Sequence, residues 1–153
     1  MPSASLPTDP ANGCFGCGSA NPHGMHLVFE KDDATRRIRG AFCLGAEYQG
    51  GSGFVHGGII ATLLDEVMSK VGRFRDVRTV TAELQVEYLR PVPVGEELVV
   101  EGWEVEKKGR NLYHEGEIRS ASGALLSRGK GRFVEIDPGI YYGNGSAGNT
   151  QAV

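Results

Sequence analysis

Residues 49–68, QGGSGFVHGGIIATLLDEVM, place five glycines and a histidine directly ahead of an apolar run that carries an acidic pair. From residue 57 to 71 the apolar positions Ile59, Ile60, Leu63, Leu64, Val67, Met68 and Val71 recur at helical spacing, the one strong helical signal in the chain. At about 100° per residue they form a stripe over about half of the circumference. The remaining arc holds Gly58, Ala61, Thr62, Asp65 and Ser69, all small or polar, with Asp65 its only charge. Such an arc suits close approach by another backbone or a slender ligand better than open water.

On either side of this helix the period changes to two. Before it, MHLVFEK (25–31) and ATRRIRGAFCL (34–44) read as strands joined at Asp32-Asp33, with Ile38, Gly40, Phe42 and Leu44 sharing a face. After it, residues 78–90 alternate, Val80, Ala82, Leu84, Val86 and Tyr88 facing one way and Thr79, Thr81, Glu83, Gln85 and Glu87 the other. Pro91 and Pro93 close that strand. Strands over 96–106, 111–120 and 124–136 follow, joined by the turns KKGR and ASG. A helix apolar over half its girth needs a concave sheet to cover it, so the expected fold is α+β, an antiparallel sheet wrapped around one central helix.

The 153 residues suit one domain, expected over 14–136 between a loose amino-terminal tail (1–13) and a second tail over 137–153 that is rich in Gly, Asn and Ser. The formal charge of -3 and the mixing of acidic and basic residues exclude a broad electropositive face, and with it a nucleic-acid partner. No stretch approaches the roughly 18 apolar residues of a membrane span. The first residues lack a basic segment followed by an apolar one, and a soluble, cytoplasmic protein is expected. Three cysteines are an odd number without a secretion signal, which disfavours a disulfide framework.

The glycines ahead of the helix have a chemical reading. Gly57 and Gly58 occupy its first turn, where backbone N–H groups lack internal partners and the helix dipole is positive, so an oxygen gaining negative charge is received there. His56, beside the N-cap, either holds the loop or helps polarise the same oxygen. Asp65 lies eight residues beyond Gly57, about 12 Å along the axis. An oxyanion donor and a carboxylate acting on one carbonyl must each lie within roughly 3 Å of their target atoms. One helix does not serve both. Two antiparallel copies about a two-fold axis near Ala61–Thr62 bring Gly57 of one to Asp65 of the other, which predicts a homodimer with two interfacial sites and leaves a dimer of dimers (homotetramer) open.

YQGGSGFVHGGIIATLLDEVM, followed by TVTAELQVEYLRPVPVGEELVVEGWEVEKKGR, resembles the hot-dog-fold acyl-CoA thioesterases of the PaaI-like group, and CFGCGSANPHGMHLVFE resembles the amino-terminal segment of many members. The resemblance covers about residues 14–136. It implies a thioester hydrolase releasing a carboxylic acid and free CoA, with acyl-CoA as its small-molecule partner and no metal or redox cofactor. The Gly57 amide then receives the thioester carbonyl, Asp65 of the partner copy acts as general base or nucleophile, and Thr81 assists the carboxylate or the water. Similar enzymes carry an Asn six residues before the His. Gly50 stands there, and the adjacent Gln49 is its candidate substitute. Candidates for the CoA phosphates are Lys107, Lys108 and Arg110 at the hairpin and Arg128, Lys130 and Arg132 in the RGKGR segment, where glycines let a ligand lie against an edge. Each is equally readable as a surface charge. A hydratase or dehydratase and a non-catalytic acyl-CoA-binding module are the alternatives.

Cys14, Cys17, His23 and His26 offer four metal ligands within thirteen residues. The His-x2-His half is shorter than zinc-finger spacing and NPHG reads as a turn, so the segment is read as a loop packed over the sheet, without metal. Cys43, alternating with Leu44, reads as a small apolar filler.

Overall fold

The computed structural model describes residues 3–137, so from residue 138 the expected carboxy-terminal tail lies outside the described residues. Among them, seven strands form one sheet: β1 (Ala4–Ser5), β2 (Glu30–Asp32), β3 (Arg37–Cys43), β4 (Thr79–Tyr88), β5 (Glu97–Lys108), β6 (Asn111–Ser120) and β7 (Leu125–Glu135). The order is β1-β2-β3-β5-β6-β7-β4, every pair antiparallel. Helix α1 (Gly57–Lys70) joins β3 to β4 and so crosses the sheet over β5, β6 and β7. The expected helix and the wrapped antiparallel sheet are both present.

Local chemistry sets the turns. Asp32 Oδ1 accepts from the amides of Ala34 (2.9 Å) and Thr35 (3.2 Å), which folds β2 back onto β3. Between β5 and β6 the turn is Gly109-Arg110, with Gly109 at φ 59°, a backbone region that favours glycine. After β4, the Val92 carbonyl receives the Val55 amide at 2.8 Å and Pro93 bridges Phe54, so the proline segment anchors the loop ahead of α1.

The helix rests on glycine. Gly102, Gly116 and Gly129 stand in register across β5, β6 and β7. A Cβ on Gly102 would stand 3.1 Å from the Val67 carbonyl oxygen, and one on Gly116 or Gly129 3.1 Å from the Met68 side chain. Leu64, Val67 and Met68 are fully buried against this row, and the buried His114 donates from Nδ1 to the Met68 carbonyl at 2.7 Å. The RGKGR glycines therefore serve packing: Gly129 lies under the helix, and the ring of Phe133 fills the space beside Gly131. β7 is also no edge, since β4 covers its outer side.

Three expectations need correction. The amino-terminal tail is tied down from residue 4, where β1 pairs with β2 and Leu6 packs against the core. Residues 25–29 are not a strand: Met25 and Leu27 donate their amides to Phe15 and Gly16, and His26 breaks the run at φ 53°. Their alternation still buries Leu27 and Phe29, under a loop rather than a neighbouring strand. In β4, Thr81 pairs with Phe133 and Glu83 with Arg132, leaving Ala82 as a bulge. The extra residue reverses the alternation, so Thr81 shares the helix-facing side with Leu84 and Val86 instead of lying opposite them.

If the glycine row sets the height of the helix, Gly102→Val overpacks a site whose nearest neighbour is backbone and lowers the unfolding free energy by about 1–3 kcal/mol in urea denaturation. Gly51→Ala, with nothing within 4 Å of its added methyl, is the control and stays within about 0.5 kcal/mol of wild type. Equal stability of the two variants would remove the row from the account.

Candidate active site

At its start α1 is capped by His56, whose Nδ1 accepts from the Gly58 amide at 2.8 Å while its carbonyl receives Ile59 and Ile60. Through Nδ1 the ring of His56 holds the entry to the helix. The same bond engages Gly58, whereas among the described residues no group accepts from the Gly57 amide. Gly57 is an exposed residue on the first helical turn. Tyr88, at the end of β4, donates from its hydroxyl to the Gly57 carbonyl at 2.8 Å and fixes the turn. The sequence placed Tyr88 only on an apolar strand face; its signal was a polar tip that needs a partner there.

Two turns further on, the Asp65 carboxylate accepts at Oδ1 from the Thr81 hydroxyl at 2.7 Å, and among the described residues Oδ2 accepts no hydrogen bond. Burial lifts the Asp65 carboxyl above the usual carboxylate range. The Thr81 hydrogen bond pulls it part of the way back, while the Glu66 charge adds to the rise and Lys70 opposes it. A half-buried carboxylate, oriented by a hydroxyl and with one oxygen unengaged, is equipped to take a proton from water. Asp65 and Thr81 line a cavity of about 840 Å³ that the amino-terminal segment, including Leu6, Cys14, Cys17, Leu27 and Phe29, also lines.

Not every expected site residue gathers here. Gln49 Oε1 accepts from the Gly53 amide at 3.2 Å, closing its own loop. Gly50 packs against His56, whose Cα would lie 3.0 Å from an added Cβ, so a larger residue there forces the histidine to move. Lys107 reaches the Gly109 carbonyl (2.6 Å) and Glu135 (3.7 Å), and Arg110 holds the Glu135 carbonyl, so both brace the hairpin. Lys108 pairs with Glu106 at 3.4 Å. Arg128, Lys130 and Arg132 alternate with the packing glycines and therefore face away from the helix, paired with Glu87, Glu115 and Glu83. They lie on the side of the sheet opposite Asp65 in the same chain.

The cysteine segment lies close to the carboxylate helix. Cys14 Sγ stands 3.5 Å from Glu66 Oε1, and Asn12 Nδ2 stands 3.6 Å from Cys17 Sγ. Burial pushes the Cys17 thiol up, against a hydrogen bond from Lys70. His26 turns away, its Nε2 against the Asn21 carbonyl. Cys43 is exposed on β3 and not the buried filler expected.

Residues 52–127 match the family model of the thioesterase superfamily. The acyl-coenzyme A thioesterase THEM4 of Rattus norvegicus is 33% identical over 116 residues, a match that covers 75% of this chain and 50% of that protein. The chain thus spans about half the length of the curated relatives it matches. Among solved structures, the thioesterase superfamily protein RHA08564 superposes with a TM-score of 0.70 at 34% identity, over 74% of this chain and 56% of that one. A hypothetical thioesterase of Streptococcus pneumoniae TIGR4, solved with coenzyme A, shares the fold at TM-score 0.63 and 17% identity, over 65% and 80% of the two chains. With one helix seated in an antiparallel sheet and these matches across it, the chain belongs to the thioesterase superfamily and carries its hot-dog fold.

Proposed function

We propose that the protein hydrolyses acyl-CoA thioesters at two equivalent sites of a homodimer. The observation that carries the reading is the Asp65–Thr81 pair, a carboxylate held at 2.7 Å by a hydroxyl on the wall of a cavity large enough for an acyl group. Asp65 takes a proton from water as the water oxygen attacks the thioester carbonyl carbon. The carbonyl oxygen, now negative, is received by the Gly57 amide of the second copy at the positive end of its helix. Collapse of the tetrahedral species breaks the C–S bond, and the proton held by Asp65 passes to the leaving sulfur. A carboxylic acid and free CoA result.

The comparisons support the chemistry and the pair. THEM4 is by name an acyl-CoA thioesterase, and the S. pneumoniae protein binds coenzyme A. That protein has also been solved with an aspartate changed to alanine and with a threonine sixteen positions later changed to alanine, the separation of Asp65 and Thr81 here. The two-fold assembly is supported by what one chain leaves open. β4 is an outer strand of the sheet, and Tyr88 (54% exposed), Leu89 (41%) and Phe54 (44%) form an apolar rim beside the exposed Gly57.

Asp65→Asn lowers kcat about 10²–10⁴-fold in a thiol-release assay over a panel of acyl-CoAs, with CoA binding and dimer mass retained. Absence of turnover by the wild type with any acyl group would favour a binding module instead. The pH profile tests the pair itself. A base must be ionised, so activity rises with pH through an Asp65 value above the ordinary carboxylate range. Thr81→Val removes the hydrogen bond that lowers this value, so the acid limb of kcat/KM moves to higher pH; an unmoved limb separates Thr81 from the base.

A further inference from the structure

We infer that Cys14, Cys17 and Glu66 form a zinc site that fastens the amino-terminal segment to helix α1. The two sulfurs and a Glu66 oxygen all lie within 4.8 Å of one another. Tetrahedral zinc, with Zn–S near 2.3 Å and Zn–O near 2.0 Å, sets ligand edges of about 3.8 Å for sulfur to sulfur and about 3.5 Å for sulfur to oxygen. Cys14 Sγ already stands 3.5 Å from Glu66 Oε1. Cys-x2-Cys is the spacing with which one turn presents two thiolates to zinc, and sulfur ligands favour zinc over magnesium or calcium.

The surroundings fit the ion. Gly16 lies between the two cysteines, and a Cβ there would stand 2.5 Å from the Glu66 carboxyl carbon, so the backbone is bared where the carboxylate approaches the loop. Glu66 and Lys70 are shielded, with side chains 13% and 14% exposed, and their charged atoms are 3.2 Å apart. Two thiolates and one carboxylate carry three negative charges, which a divalent ion and the Lys70 ammonium neutralise together. The remaining coordination position opens on the cavity that Cys14, Cys17 and Glu66 help to line, where water completes the tetrahedron. His23 and His26 take no part. The third ligand comes instead from fifty-two residues away in sequence.

The site does not depend on the proposed hydrolysis and is tested without it. Full-length protein, reduced and stripped with chelator, is titrated with cobalt(II) as a spectroscopic probe and then with zinc. One equivalent binds, giving a thiolate-to-cobalt charge-transfer band and the visible bands of a tetrahedral ion, and zinc displaces the cobalt. Glu66→Gln weakens zinc binding at least tenfold. Should the double variant Cys14→Ser/Cys17→Ser fail to fold, thiol reactivity of the wild type decides: zinc protects two of the three thiols from Ellman's reagent, and the exposed Cys43 stays reactive. Reduced protein that takes up no cobalt, or whose thiols react equally fast with and without zinc, overturns the site.

Discussion

The close approach of α1 to Gly102, Gly116 and Gly129 fixes the height and the rotation of the helix over the sheet. Any side chain in that row would lift the helix, because Val67 meets Gly102 with its backbone. Once Val67 and Met68 are pressed down, the rest of the helix has no rotational choice. At about 100° per residue Asp65 falls on the flank, about 120° from the centre of the buried face, turned toward β4. A packing constraint in the core thereby aims the carboxylate, and the price in stability of half-burying it is set against the tight seat beneath.

The other half of the aim is the bulge at Ala82. In unbroken alternation Thr81 would point to the side away from the helix, with Glu83 and Gln85. One extra residue reverses the phase before Glu83 and turns the hydroxyl inward to 2.7 Å from Asp65. Nothing in VTAELQVEY marks that insertion: there is no glycine or proline, and the apolar residues alternate straight through it. The register of β7 sets it, and a single segment does not contain its partner's register. The helix was legible to within a residue because its period is internal to it. The same holds for the hairpin at Gly109, where one residue type answers one backbone need.

Long-range contact also decided what was misread at the amino terminus. Leu27 and Phe29 alternate as strand residues do and are buried as strand residues are, yet the amides of Met25 and Leu27 bond to the cysteine loop. A period of two reports burial of every second side chain, and it does not say what lies alongside. The RGKGR segment misled in the opposite sense. Its glycines looked available to a ligand, but they are occupied by the helix and by Phe133, and the alternation that buries them turns the three cations to the far face. In both segments the face was readable and the neighbour was not.

The position of β4 links assembly to chemistry. Among the described residues β4 is a ten-residue outer strand, an edge that is a liability for a lone chain and that pairing with a second copy would cover. If β4 pairs antiparallel with its own two-fold mate, the sheet continues across both copies. The same rotation sets the two α1 helices antiparallel, because each is fixed to its sheet by the glycine row. Gly57 of one then approaches Asp65 of the other, across the arc of Gly58, Ala61 and Thr62 that is too small to keep them apart. The separation of about 12 Å along one helix, which disables a single chain, is what a two-fold axis midway between the two residues cancels. The proposed hydrolysis needs an assembly that brings the two half-sites together, and pairing through β4 is one that would do so.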